Sequence, residues 1–154
     1  MTGLEPSLES LDALSADTDA LCMVLTEDDR PLSGAAGYLD WRLCGGLSRV
    51  LLKGFFKGER GEQLLMPTLG HVPVVKLFAV GGGTSRSLDA PALKTLLETS
   101  AHMLRKAGVT SVALSLPKCA VDDAGKAEAV KKAFAPAFGG PVTVFAEKGL
   151  RALL

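Results

Sequence analysis

Two apolar runs, Gln63-Leu64-Leu65-Met66-Pro67-Thr68-Leu69 and Val74-Val75-Lys76-Leu77-Phe78-Ala79-Val80, flank the short segment Gly70-His71-Val72-Pro73. Each run has the length and residue types of a β-strand, and glycine and proline punctuate the gap between them. A parallel pair needs a crossover of about a dozen residues or more, so these strands must pair antiparallel as a hairpin. That reading decides against a purely parallel sheet and for a mixed one.

Three more strands follow by the same reasoning. Residues 20–26 (Ala-Leu-Cys-Met-Val-Leu-Thr) end at Glu27-Asp28-Asp29-Arg30-Pro31, residues 109–116 follow Gly108, and residues 142–146 follow Gly139-Gly140-Pro141. Between them the apolar period changes to that of helices. Leu39, Leu43, Leu47, Val50 and Leu51 predict one helix closed by Gly54. The pair Gly45-Gly46 inside it costs about 1 kcal/mol per glycine relative to alanine, which a close packing contact would explain. A second helix has Asp89 as N-cap, Pro91 in its first turn and the stripe Leu93, Leu96, Leu97, Ala101 and Leu104, and ends at Gly108. A third opens at Asp122-Asp123, turns Ala127, Val130 and Phe134 inward, and should end at Pro136. Residues 4–14 carry leucines at helical spacing and would equally fit an edge strand. The tail ends in Leu150, Leu153 and Leu154, an apolar stub expected to dock.

Near-continuous apolar strands alternating with amphipathic helices describe a sheet covered on both faces. The expected fold is α/β: a three-layer α/β/α sandwich with a mixed, mostly parallel sheet. The length of 154 residues, with no internal repeat or low-complexity linker, predicts a single domain over residues 1–154. A domain of that size buries roughly 70% of its unfolded surface and needs no staples.

Composition narrows the function classes. Hydrophobic residues make up 47% and charged residues 22%, which excludes a disordered chain. Seventeen bases balance seventeen acids, an argument against an obligate nucleic-acid binder. No apolar run approaches the ~18 residues of a membrane span, and the first residues lack the pattern of a secretory signal. Cys22, Cys44 and Cys119 are odd in number and far apart, so neither a disulfide scaffold nor a zinc knuckle is expected. A cytoplasmic location follows from these features. The charges are nonetheless segregated. Residues 1–30 hold eight acids and the single base Arg30; residues 42–60 hold Arg42, Arg49, Lys53, Lys57 and Arg60 against Glu59. A solvated charged face is the plain expectation.

Candidate chemistry is sparse. Asp28-Asp29 and Asp122-Asp123 read as caps rather than as a two-metal site, whose carboxylates must converge. His71 falls in the hairpin turn and His102 on a polar helix face, without metal-ligand spacing. The segment Gly81, Gly82, Gly83, Thr84, Ser85, Arg86 is the one candidate ligand-binding loop. It joins a strand to a helix, where backbone N–H groups attract anions, and Arg86 could add a bidentate contact. It matches neither of the common phosphate-loop patterns, so a tight turn needing glycine geometry is the competing reading. The basic set could touch phosphates, but Trp41, Phe55 and Phe56, the nearby aromatics, are expected in the core. No metal and no cofactor are expected.

Two segments, Leu39-Asp40-Trp41-Arg42-Leu43-Cys44-Gly45-Gly46-Leu47 and Phe56-Lys57-Gly58-Glu59-Arg60-Gly61, carry a family likeness. With the strand and glycine turn Phe78-Ala79-Val80-Gly81-Gly82-Gly83 and the helix end Arg105-Lys106-Ala107-Gly108, they resemble the N-terminal domain of the leucyl aminopeptidase (M17) family. The resemblance spans residues 15–147 and implies a macro-domain-like fold. It also implies that the family's two-metal chemistry lies in a separate C-terminal domain with an Asn-Thr-Asp-Ala-Glu-Gly-Arg motif. This chain contains no Asn, so no catalytic residue can be carried over.

The expected function is therefore a stand-alone, non-catalytic homologue of that domain, an assembly or regulatory module pairing with itself or with another protein. Two alternatives stay open: a macro-like pocket for a small anionic ligand of the ADP-ribose type, and the N-terminal part of an aminopeptidase whose catalytic half is encoded elsewhere.

Overall fold

A computed structural model describes all of residues 1–154. Six strands form one sheet: β1 (Thr2–Leu4), β2 (Ala20–Leu25), β3 (Gln63–Pro67), β4 (Lys76–Gly81), β5 (Val112–Ser115) and β6 (Val142–Phe145). Their order is β1-β6-β5-β2-β4-β3. Every neighbouring pair is parallel except the hairpin, in which Leu65 of β3 stands opposite Phe78 of β4. The loop between the hairpin strands is too short for a crossover, and that alone fixes the antiparallel edge.

All six residues of β2 are buried, which requires cover on both faces. Alternate residues of β2 point into two separate cores. Ala20, Cys22 and Val24 face one; Leu21, Met23 and Leu25 face the other. The first core is closed by α4 (Ala90–Lys106), α5 (Asp123–Ala129), α6 (Ala135–Phe138) and α7 (Lys148–Arg151). The second is closed by α1 (Leu8–Asp12), α2 (Gly34–Arg42) and α3 (Gly46–Leu52). The result is the three-layer α/β/α sandwich expected from the strand and helix order. Helix α4 begins as its sequence dictates, with the Asp89 carboxylate accepting from the Ala92 amide at 3.0 Å.

Four local expectations change. The single helix over 39–51 is two helices, because Cys44 (φ 54°) and Gly45 (φ 79°) are left-handed. Gly45 becomes the residue before α3, and the Asp40 carboxylate accepts the Ser48 amide at 3.0 Å. The glycine pair marks a break, not a packing contact. Trp41 and Phe55 lie outside the core, 73% and 74% exposed; of the three aromatics only Phe56 is buried. Trp41 lies two residues past buried Leu39, hence about 200° around the helix on its outer face. Pro136 does not end the third helix. Residues Val130–Phe134 form a π-helical turn, and the path continues into α6 with the proline in its first turn, where no N–H is needed. Residues 4–14 resolve into both readings, the end of edge strand β1 and the helix α1. The tail docks as expected through buried Leu150, with Leu154 against the same core.

The break between α2 and α3 makes a prediction. Gly45→Ala should destabilise the protein by about 1–2 kcal/mol through its left-handed backbone. Gly46→Ala, with an ordinary φ and the Leu43 Cβ at 3.3 Å and an Arg49 guanidinium nitrogen at 3.9 Å from the added carbon, should stay within about 0.5 kcal/mol of wild type. Urea unfolding of both variants checks this; equal losses would restore the packing explanation.

Candidate functional site

The glycine turn after β4 is shaped by a close approach of backbone. A Cβ on Gly81 would overlap the carbonyl oxygen of Glu59, and Gly83 has φ 76°. The three glycine amides donate within the chain: Gly81 to Glu62 O (2.8 Å), Gly82 to Leu25 O (2.9 Å) and Gly83 to Gly58 O (2.8 Å). Ser85 donates its amide and hydroxyl to the two carboxylate oxygens of Asp28, at 2.8 and 2.5 Å. Arg60 reaches across to donate to the Ser87 carbonyl (2.8 Å) and hydroxyl (2.9 Å). Of the donors in this loop, the glycine amides are taken by backbone carbonyls and those of Ser85 by a carboxylate of the same chain. The Ser85 hydroxyl and then its amide hold the Asp28 carboxyl below its ordinary value of 3.8. Thr84 and Arg86 are exposed, and the Arg86 guanidinium makes no hydrogen bond.

A cavity opens instead at the carboxyl ends of β5 and β6. The segment after β2 runs to α2 on one face of the sheet and that after β5 to α5 on the other, so the loops part between them. The cavity holds about 400 Å³ and is walled by Ser33, Gly34 and Ala35 on one side and by Ser115, Pro117 and Lys118 on the other. Ser33 turns its hydroxyl to Asp29 (2.9 Å) and does not cap α2. The first amides of this nine-residue helix therefore keep their donors, and its dipole favours negative charge. Ser115 is 94% buried, as its 6% relative exposure shows, and its hydroxyl makes no hydrogen bond to protein. Lys118, Lys126 and Lys148 line the cavity against Asp123 and Glu147. None of Gly81, Gly82, Gly83, Thr84, Ser85 and Arg86 lines it. The sequence reading missed this site because it began the helix at Leu39, five residues after its actual start at Gly34. The signal available was Ser33, a cap-type residue before the small run Gly34-Ala35-Ala36.

The remaining candidates are dispersed. His71 and His102 are exposed on different elements. No three His, Cys, Asp or Glu side chains converge where a metal ion could be held. Cys22 is buried, and loss of solvation pushes its thiol up to about 12; Cys44 is exposed, and no disulfide forms. Of the basic set, Arg42 donates to Asp12 through Nε (2.9 Å) and Nη2 (2.5 Å), and Arg49 donates to the Cys44 carbonyl (2.7 Å). No helix is long and apolar enough to cross a membrane.

Comparison with known proteins places this geometry. The profile of the cytosol aminopeptidase family, N-terminal domain, matches residues 23–137, well over half of the chain. The chain belongs to the cytosol aminopeptidase family. The aminopeptidase-family chain is 30% identical over 132 residues to the probable cytosol aminopeptidase of Ralstonia pickettii, covering 82% of this chain and 26% of that protein. Its fold superposes on a tomato leucine aminopeptidase mutant, K354E, with a TM-score of 0.65 at 15% identity, covering 99% of this chain and 34% of that one. It also superposes on an Oceanobacillus iheyensis macrodomain solved with ADP, with a TM-score of 0.66 at 11% identity, covering 93% and 83%. The fold is macro-domain-like. The aligned region takes in between about a sixth and a quarter of the length of the curated relatives it matches. What is matched is the family's N-terminal domain; its catalytic domain is not covered.

Two predictions follow from the turn in this aminopeptidase-family domain. Gly81→Ala should cost about 3 kcal/mol or more, since the obstruction is backbone and cannot step aside; chemical denaturation measures it. Asp28 has a lowered folded-state pKa, so its stabilising contribution is present above its unfolded value and is lost as pH falls from about 4 through the folded value. Asp28→Asn should flatten that acid limb in thermal melts taken from pH 6 downward; a limb of unchanged slope would refute the linkage.

Proposed function

We propose that this domain works by surface recognition in the cytoplasm, as a non-catalytic assembly or regulatory module of the cytosol aminopeptidase family. The observation that carries the reading is the outer face of α2 and α3. There Trp41, Leu52, Phe55 and nearby Leu69 are each more than 70% exposed. Four large apolar side chains on one side of a small domain form the kind of patch that marks a protein contact, and tryptophan is the residue most often at its energetic centre. The metal chemistry of the family's catalytic half does not fit these residues, because no ligand cluster exists to hold the ions.

The test has two parts. The purified chain should not hydrolyse leucine p-nitroanilide with Mn²⁺ or Zn²⁺ above the buffer rate. The double variant Trp41→Ser/Phe55→Ser should keep its circular dichroism and lose association, measured by light scattering, with itself or with a separately expressed aminopeptidase catalytic half. Turnover by the isolated chain, or association unaffected by the double change, would overturn the reading.

A second reading rests on a different place. The cavity beside Ser115 and the start of α2 combines uncommitted amides, the unpartnered hydroxyl of buried Ser115 and three lysines, set against Asp123 and Glu147, and the amides and lysines suit a phosphate-bearing ligand. It supports a macro-like pocket for an ADP-ribose-type anion. ADP-ribose should then raise the melting temperature of wild type but not of Ser115→Ala/Lys126→Ala. A gain lost in Arg86→Ala instead would move the site to the glycine turn, where an anion must displace Asp28 from Ser85. No gain with ADP-ribose or ADP removes this reading.

A further inference from the structure

Helix α2 packs between α1 and α3, and the charges on its two flanks are opposite. On the α1 side, Glu5, Glu9 and Asp12 are exposed, with Arg151 3.5 Å from Glu5, Arg42 paired to Asp12 and Lys148 in the adjoining groove, so that Glu9 is the acid without a basic partner. On the α3 side, Arg49, Lys53 and Lys57 are exposed, and no acid occurs between Asp40 and Glu59. Trp41 stands on the ridge between them. It borders a groove of about 690 Å³ toward α1, shared with Leu8 and Tyr38. It also borders a second groove of about 810 Å³, shared with Pro31, Cys44 and Gly45. The left-handed break at Cys44 and Gly45, which lacks a helix's ordinary side-chain cover, forms the floor of the second groove.

An acidic flank, an aromatic ridge beside a groove and a basic flank, in that order, form a surface complementary to its own copy after a half-turn. We propose that this face is the interface of a two-fold symmetric dimer of this chain. The inference rests on the surface-recognition reading and names its partner: a second copy. Trp41 of each copy enters the groove of the other beside Cys44 and Gly45, and Glu9 of each faces Lys53 of the other, so both contacts occur twice and the assembly closes. Asp12 is already taken by Arg42, Glu5 stands 3.5 Å from Arg151, and one Arg49 nitrogen is held by the Cys44 carbonyl, which leaves Glu9 on one flank and Lys53 and Lys57 on the other as the uncommitted charges. Tryptophan in a desolvated groove supplies affinity, while the flanking charges set register and encounter rate. A membrane surface or a nucleic acid would favour the basic flank and be repelled by the acidic one beside it, whereas a second copy satisfies both.

Sedimentation velocity of the full chain over a micromolar concentration series tests the proposal. Wild type should dimerise, more weakly as salt is raised. Lys53→Glu and Glu9→Lys should each dimerise about tenfold or more weakly alone, and a one-to-one mixture should recover wild-type association, because the mixed pair opposes acid to base at both contacts. Trp41→Ser should be monomeric, and Glu128→Lys, on the far helical layer, should behave as wild type. A wild-type chain monomeric throughout, or a mixture no tighter than its components, overturns the dimer. Its failure is separable from that of the broader reading. A monomer that binds the aminopeptidase catalytic half through Trp41 disproves self-pairing alone; a monomer that binds neither disproves both.

Discussion

β2 has no solvent-facing side, and the rest of the molecule answers that constraint. A strand whose every side chain is buried must lie in the interior of a sheet with both faces covered. Its even residues bind the sheet to the long helix α4 and its odd residues to the shorter α1–α3 layer. Once both faces are closed, backbone not consumed by the ladder is left at the strand ends, where chains turn from one layer to the other. The two places with concentrated polar chemistry, the glycine turn after β4 and the cavity beyond β5, both lie there.

What could be read from the sequence was whatever local spacing controls. The gap between the hairpin strands, four residues as read from the sequence and eight in the fold, is too short for a crossover and dictates their antiparallel pairing, and Asp89, Pro91 and the leucine stripe define α4 nearly to its ends. The helix over 39–51 failed because Cys44 takes a left-handed conformation that its side chain disfavours, and no pattern in the sequence announces that. The apolar stripe survives the break, since Leu39, Leu43 and Leu47 are all buried, so periodicity alone saw one continuous helix. The outward direction of Trp41 was legible, being set by its angle from Leu39. The expectation that aromatics prefer the core overrode it. Pro136 misled for a related reason: a proline rule written for α-helices does not hold where a π-turn has already changed the register.

The candidate sites were harder because they depend on who arrives first. The glycine turn lies at the end of a strand, but its glycine amides are consumed by backbone carbonyls of the same chain. The amide and hydroxyl of Ser85 meet Asp28, more than fifty residues earlier in the chain but brought adjacent by the parallel pairing of β2 with β4. The cavity likewise joins Ser33 to Ser115, neighbours only because β2 pairs with β5. Local sequence can show that a segment is rich in donors. The order of strands decides whether an acceptor from the same chain satisfies them or whether they stay open to a ligand.

Net charge illustrates the same point at the scale of a surface. Seventeen acids and seventeen bases sum to zero, yet they are sorted along the chain, and the fold lays the acidic α1 and the basic α3 on opposite sides of α2. One bidentate pair, Asp12 with Arg42, joins the two blocks across α1 and α2 and sets their spacing. Such a pair between partly exposed groups contributes little to stability. Its effect is positional, because it consumes the inner charges and leaves the outer ones, Glu9, Lys53 and Lys57, without internal partners. A neutral protein built this way presents a directional electrostatic field rather than none, and that field has the right polarity to orient a copy of itself.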